Sequence, residues 1–543
     1  MNSTQADART KRLTLIACIL GSGIALLDGT VVNVALPTIQ RALGGGLAGQ
    51  QWVVNGYALT LGSLILVGGS LGDLFGERLI FTIGATGFGI ASLGCALAPT
   101  IGVLVALRAL QGIASALLTP ASLAVIVNTF PESERGGAIG TWTAWGTIAG
   151  VLGPLVGGWL LQVASWRWIF LINLPLVAAC VALISIAMSP SKRRAKRVRH
   201  VDFPGAALGA LGLAGMVFAL IEQPVLGWGS VGVMLPLVGG LALLVTFVLY
   251  ESRAPDPMLP LRLFRKRNFA AGNLETLAMY GGLSILFFFL GLFLQEVAGY
   301  SPLEAGLATL PVTVLMFLLS RRFGALADRH GPRLFMGAGP IVCAAGLLMF
   351  QRVGANVDYL TEVLPPLLLF ALGLSMTVAP LTAAVLADAT TSDAGIASGV
   401  NNAIARVAGL MGTAAVGAAV ASSFASNLNQ RLTGSRLGPA AQEAVAAAKR
   451  LPLGKPDVHG VPPHQARTVT AAAEAASLHS FHVGMAIAAV LLAIGGVAGI
   501  VGIRNPRGAV PAEDCPAGQL IGSGRESVER ARCEPDRVPV ETV

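Results

Sequence analysis

Apolar stretches of about 20 residues alternate with short polar connectors along almost the whole chain. A helix of that length crosses the hydrocarbon core of a bilayer with its backbone hydrogen bonds satisfied internally. The pattern predicts about fourteen spans, near residues 13–37, 51–71, 79–98, 101–127, 137–161, 167–188, 204–222, 231–250, 270–296, 306–326, 334–350, 364–387, 397–424 and 481–503. An even number leaves both termini on one side. Residues 425–478 are polar and rich in Ala, and we read them as an external loop. Within it, Ala440–Arg450 and Arg467–Leu478 have helix-forming composition. Residues 504–543, rich in Pro, Gly and charge, have the composition of a disordered tail.

Composition agrees with an all-α integral membrane protein. The 543 residues are 54% hydrophobic and 12% charged, where a soluble domain carries about a quarter charged residues. The formal charge of +9 does not indicate a nucleic-acid partner, because the basic residues sit in connectors. One set of connectors holds Arg78, Arg135, the run Lys192–Arg199, Arg262, Arg265, Lys266, Arg267, Arg329 and Arg333. The opposite short connectors hold little beyond Arg41, Arg167 and Arg352. That asymmetry makes the first set, with both termini, cytoplasmic. Arg outnumbers Lys, and Ala and Gly dominate, which suits a GC-rich bacterial genome and the bacterial cytoplasmic membrane. The N-terminal apolar run is too long for a signal peptide and lacks an Ala-x-Ala site, so it reads as a retained first span.

Several chemistries lack support. Cys18, Cys95, Cys180 and Cys343 lie in apolar blocks and Cys515 and Cys533 in the tail, with no metal-ligand spacing. His459, His464, His479 and His482 have no Cys or carboxylate to complete a metal site. There is no phosphate loop, nucleophile elbow or paired-cysteine metal motif, so neither ATP-driven transport nor an enzyme is indicated. No cofactor and no obligate protein partner are expected.

An internal repeat divides the spans. Gly69-Ser-Leu-Gly-Asp-Leu-Phe-Gly-Glu-Arg78 recurs as Gly324-Ala-Leu-Ala-Asp-Arg-His-Gly-Pro-Arg333, each joining the second and third spans of a six-span set. Such parallel repeats mark transporter halves. The expected domains are 1–188 as an N-terminal six-helix half and 189–269 as two inserted spans with basic connectors. A C-terminal half, 270–503, includes loop 425–478, and a cytoplasmic tail, 504–543, follows. Within the loops, Gly69 and Gly72 are expected to let helices approach closely. Gly76 permits the φ > 0 of a tight turn, and Asp73 can face the positive end of a neighbouring helix.

A carboxylate inside the first apolar run, Asp28, is costly and points to function. It lies about 15 residues into span 1, roughly 22 Å along the helix. Arg108, about 8 residues from the external end of span 4 and roughly 12 Å deep, falls at a similar level. At one depth the two charges lower each other's cost. Desolvation opposes the charge of Asp28 and the guanidinium supports it. Either a titrating carrier of protons or a structural ion pair fits that spacing.

Asp28-Gly-Thr-Val-Val-Asn-Val-Ala-Leu-Pro37 resembles the first-span signature of the fourteen-span drug:proton antiporters of the major facilitator superfamily. Gln51-Trp-Val-Val-Asn-Gly-Tyr57 resembles that family's second-span opening, and Leu107-Arg-Ala-Leu-Gln-Gly112 its fourth-span arginine motif. The resemblance covers about residues 12–503. It implies the major facilitator fold, two six-helix halves plus two inserted helices. It also implies that Asp28 carries the proton and Arg108 couples to it. The repeated loops resemble the superfamily's cytoplasmic latch, with Gly69, Asp73, Gly76 and Arg78 in one copy and Gly324, Asp328, Arg329, Gly331 and Arg333 in the other. Leu74 and Glu77 stand where the family is usually basic, so the first latch is expected to be weaker or paired differently.

In span 5, Gly146, Gly150, Gly153 and Gly157 line one helical face, with Gly158 beside it and Pro154 able to bend the helix. The face resembles the superfamily's antiporter motif, which favours export over uptake. Trp166–Pro175, Gly299–Gly306 and Ser398–Gly409 are further family-like stretches. Arg406 would lie roughly 14 Å from the inner end of span 13 and needs a partner or a wet cavity. Among other acids, Glu222 and Glu296 fall near outer span ends, and Glu275 near the inner end of span 9, where a second membrane acid could bind a cationic substrate.

The expected function is export of amphipathic, drug-like small molecules in exchange for protons, driven by the proton gradient. The cavity would lie between the halves, near the bilayer midplane, with Asn33, Asn55, Tyr57, Gln111, Glu275 and Arg406 as polar contacts. A dedicated exporter of one metabolite or self-made antibiotic, or a lipid transporter on the same fold, is the alternative.

Overall fold

The computed structural model describes residues 3–187, 202–255, 257–354, 356–387 and 394–505. The basic run Lys192–Arg199 and residues 506–543 lie outside them. The helices of the first half are α1 (Ser3–Leu43), α2 (Gly46–Phe75), α3 (Glu77–Leu97), α4 (Ile101–Thr129), α5 (Glu132–Val163), and the short α6 (Trp168–Leu171) running into α7 (Asn173–Ala187). Then come α8 (Phe203–Leu226) and α9 (Val231–Glu251). The second half holds α10 (Arg267–Leu292), α11 (Pro302–His330), α12 (Pro332–Met349), α13 (Leu364–Ala387), α14 (Ala394–Leu432), α15 (Pro439–Ala448) and α16 (Pro463–Gly502). No strand occurs among the described residues. Among the described residues, fourteen segments are long and apolar enough to cross a membrane, counting α6 with α7 as one.

Most span ends fall within a few residues of the hydropathy boundaries. The last does not: α16 begins at Pro463 rather than near 481, and α14 runs on to Leu432. The Ala-rich segment after Pro463 keeps helix propensity where its hydropathy falls, and its apolar face has a partner. Phe424, Leu428, Val445, Val469 and Ala473 form a small buried core joining α14, α15 and α16 beyond the spans. Hydropathy located the most apolar stretch, not the helix edge.

Turn chemistry fixes the connections. Gly76 ends α2 at φ 97° and Gly331 ends α11 at φ 85°, a conformation in which any side chain would be strained. Ser301 and Glu304 form a reciprocal capping box that starts α11. Arg78 Nη2 donates to the Ser185 carbonyl on α7 (3.5 Å), while Arg333 Nε donates to the Ile500 carbonyl on α16 (2.7 Å). Arg267 reaches the next two α16 carbonyls, Val501 and Gly502. Each repeated loop thus places its arginine on the carboxyl end of the last span of its own half, where a cation suits the helix dipole.

One packing expectation is corrected. A Cβ on Gly72 would meet nothing within 4 Å, and one on Gly69 only Pro120 at an ordinary 3.7 Å. The close approach in α2 is instead at Gly68, packed on the backbone of Ala116 and Leu117 in α4. Asp73 is exposed and makes no hydrogen bond or ion pair among the described residues. The Asp328 side chain lies outside them.

Helices α8 and α9 pair with each other. Helix α8 also bridges the halves: Val217 and Ile221 pack with Leu410 and Ala414 of α14, and with Trp52 and Leu59 of α2. The Trp52 indole N–H donates to Glu222 at 2.9 Å. Leu235, Val238, Leu241, Val245 and Leu249 on α9 stay exposed, as a lipid-facing surface requires.

Candidate functional site

Asp28 on α1 is completely buried. Its carboxylate is paired with Arg108 Nη1 of α4, and its other oxygen accepts from Gln111 Nε2 (3.0 Å) and Asn173 Nδ2 (3.1 Å). Arg108 and Gln111 share a face of α4 because three residues make almost one turn, and Arg108 Nη1 also donates to Gln111 Oε1 (2.7 Å). Ser92 on α3 accepts from both Gln111 (2.8 Å) and Asn173 (3.3 Å). Arg108 Nε is spent on the Val53 carbonyl (3.1 Å), and its guanidinium lies 4.3 Å from the centre of the Tyr57 ring. Tyr57 in turn bonds Ser115 (2.9 Å) and the Ala25 carbonyl (3.2 Å). Five helices therefore contribute to one buried polar network, in which each member restrains its neighbours.

A cavity of about 530 Å³ lies between the halves. Asn33, Asn55, Tyr57, Arg108 and Arg406 line it, on walls otherwise built mainly from apolar residues such as Leu26, Leu283, Phe287 and Phe288. Asp28 does not line it; Arg108 stands between the carboxylate and the cavity. Gln111 is likewise behind the wall, held by Asp28, Arg108 and Ser92. Its expected place in the cavity is corrected: the Arg108 turn carries it inward to the network.

Glu275 is also corrected. It is fully buried and outside the cavity, with Oε2 3.0 Å from where a Cβ on Gly499 of α16 would stand. Neither carboxylate oxygen has a hydrogen-bond partner among the described residues. On α10 it faces the neighbouring helix of its own half, because the cavity face of that helix begins near Tyr280 and runs through Leu283, Ser284 and Phe287.

The cavity is closed at the end remote from the N-terminus. There Gln295 Nε2 donates to the Val34 carbonyl (3.1 Å), Gln51 Nε2 to the Thr413 carbonyl (2.6 Å) and Thr413 Oγ1 to Asn55 Oδ1 (3.1 Å), all across the halves. The glycine face of α5 is divided between tasks. A Cβ on Gly157 would stand 2.5 Å from Val31 of α1, and one on Gly158 2.6 Å from Leu303 Cα of α11. Gly153 is crowded against Thr30, and Gly306 of α11 meets the Pro154 carbonyl at 2.6 Å from its would-be Cβ. Gly146 approaches Leu26. Gly150 touches nothing and opens to the cavity. Small residues thus let α5 sit against α1 and α11 at once.

In the repeated loops, Glu77 accepts from Asn128 at 2.8 Å, Arg329 is exposed, and Gly324 lies in ordinary contact with Ala379. Asn173 and Ser92 were missed by sequence reasoning. Asn173 had a signal: it sits in the family-like Trp166–Pro175 stretch, a polar residue entering an apolar run. Ser92, one hydroxyl among the small residues of α3, had none.

Among known proteins, residues 18–413 match the Major Facilitator Superfamily. The chain is 37% identical over 408 residues to the puromycin resistance protein pur8 of Streptomyces alboniger, covering 74% of this chain and 80% of that one. It is 33% identical over 497 residues to the multidrug resistance protein Stp of Mycobacterium tuberculosis (strain CDC 1551 / Oshkosh), covering 90% and 92%. The fold matches that of a bacterial homolog of the human lysosomal transporter Spinster with a TM-score of 0.61 at 17% identity, covering 92% of this chain and 99% of that one.

Proposed function

This chain belongs to the Major Facilitator Superfamily, a family of secondary transporters rather than enzymes, and from that footing we propose that it exports amphipathic drug-like compounds in exchange for protons across the bacterial cytoplasmic membrane. The observation that carries the reading is Asp28: a fully buried carboxylate behind the cavity wall, held by a guanidinium that does line the cavity. Protonating Asp28 removes the charge that holds Arg108, so the proton and a cavity ligand act on the same side chain. Each can then favour a different arrangement of the two halves. With the termini on the cytoplasmic side, the end closed by Gln51, Gln295 and Thr413 is external, and the cavity loads from the cytoplasm. Protons then reach Asp28 from outside after that end opens.

Both relatives are named for resistance, which export of the compound would provide, and the names differ on breadth: one is a puromycin resistance protein, the other a multidrug resistance protein. The first supports a second reading, a dedicated exporter of one antibiotic.

The test is proton release from acidified everted vesicles on addition of candidate compounds. Wild type dissipates the pH gradient only when a transported compound is present, whereas Asp28→Asn inserts normally and gives no compound-dependent release. Coupled efflux by Asp28→Asn would exclude Asp28 as the proton carrier. A response to one compound in a broad panel would favour the dedicated exporter.

A further inference from the structure

Arg406 projects from α14 into the cavity, and among the described residues it has no ion pair and no hydrogen-bond partner. The two cavity arginines are therefore unequal. Arg108 is neutralised by Asp28 and fixed by Gln111 and Val53. The Tyr57 and Tyr280 side chains lie near Arg406 and line the same cavity. No carboxylate lines the cavity among the described residues, since Asp28 is behind Arg108 and Glu275 faces α16. Arg406 is half-buried at the cavity surface with no counter-charge there among the described residues, so its guanidinium is open to a ligand. Asn402, one turn before Arg406 on the same face of α14, also lines the cavity. Phe287 and Phe288 supply an apolar wall on α10.

We propose that the cavity selects anionic amphiphiles, binding a carboxylate or similar oxyanion on Arg406, with Asn402 beside it and the hydrophobic body against Phe287 and Phe288. A planar guanidinium matches such an oxyanion with two parallel hydrogen bonds, and an amphiphile that fills the cavity displaces water from the pair and so strengthens it. A cationic amphiphile would instead meet an unneutralised positive charge. This rests on the reading of the cavity as the transport path, and it names the substrate class for that path.

The test is equilibrium binding to purified protein in neutral detergent at pH 7, without any gradient. Three dansyl compounds share one body: dansyl-6-aminohexanoate (anionic), N-pentyl dansylamide (neutral) and dansylcadaverine (cationic). Wild type is expected to bind the anion at least about ten-fold tighter than the cation, the discrimination a single charge-assisted contact provides. Arg406→Gln removes that preference and leaves the neutral compound's affinity within about three-fold, while Arg406→Lys keeps the preference with a several-fold weaker anion. Equal or tighter cation binding by wild type overturns the proposal without recourse to any variant. So does a preference that survives in Arg406→Gln. Proton exchange plays no part here, so the two readings fail separately. An anion preference without coupled proton release sinks the antiport reading alone, whereas proton-coupled efflux of dansylcadaverine but not the anion sinks this one alone.

Discussion

Arg108 covers Asp28. The carboxylate is wholly buried, its charge is met by the guanidinium, and only the guanidinium reaches the cavity. Any proton or ligand acting on the network must do so by displacing Arg108 or by discharging Asp28. The couple should accordingly behave as a unit. Arg108→Gln leaves a buried carboxylate held only by Gln111 and Asn173, and breaking a buried pair from one side costs roughly 3–5 kcal/mol. Asp28→Asn together with Arg108→Gln should recover most of that loss. A double-mutant cycle of thermal unfolding in detergent measures it; additive losses would show that the two are not coupled.

Closure of the far end depends on the absence of side chains. A Cβ on Gly158 would stand 2.6 Å from Leu303 Cα, and one on Gly306 2.6 Å from the Pro154 carbonyl, so backbone must move. Gly158→Ala and Gly306→Ala should favour the arrangement open at that end. The readout is alkylation of Asn33→Cys by an impermeant maleimide added from the side opposite the termini, with Cys515 and Cys533 replaced by Ser. Cys18, Cys95, Cys180 and Cys343 are buried and give little background. Labelling should rise several-fold in both variants, while Gly150→Ala, where a Cβ meets nothing, should match the parent.

Helices α14, α15 and α16 carry a cap with its own core. Val469 is fully buried within it. Val469→Asp places an unpaired charge there and should unfold the cap locally. Trypsin should then cut at Arg436, Lys449 or Arg450 at least about ten-fold faster than in wild type, because cleavage follows the population of the open form. Cutting should require protease on the side opposite the termini; cleavage from the terminal side would reverse the topology.

Glu275 is buried, both its oxygens lack a partner among the described residues, and it is absent from the cavity wall. Glu275→Gln removes the option of a buried charge at almost unchanged volume. It should leave transport within about two-fold of wild type and be at least as stable. Loss of coupled efflux with an intact fold would give Glu275 a role that its position does not supply.

The fourteen spans, the repeat and the depth match of Asp28 with Arg108 were legible in the sequence. Each is set by local rules: apolar length, chain alternation and rise per residue. The same rules put Gly76 at a tight turn, and Gly331, its counterpart in the repeat, takes the same conformation. They could not say which way a side chain faces around its helix axis, since in a membrane both lipid-facing and buried positions are apolar. Only the tertiary structure turned Gln111 and Asn173 toward Asp28 and sent Glu275 to α16. It also divided the glycines of α5 between two neighbours and left Arg406 in a cavity with no counter-charge among the described residues. The sequence determined where each charge lies along the membrane normal; helix packing decided which charges meet.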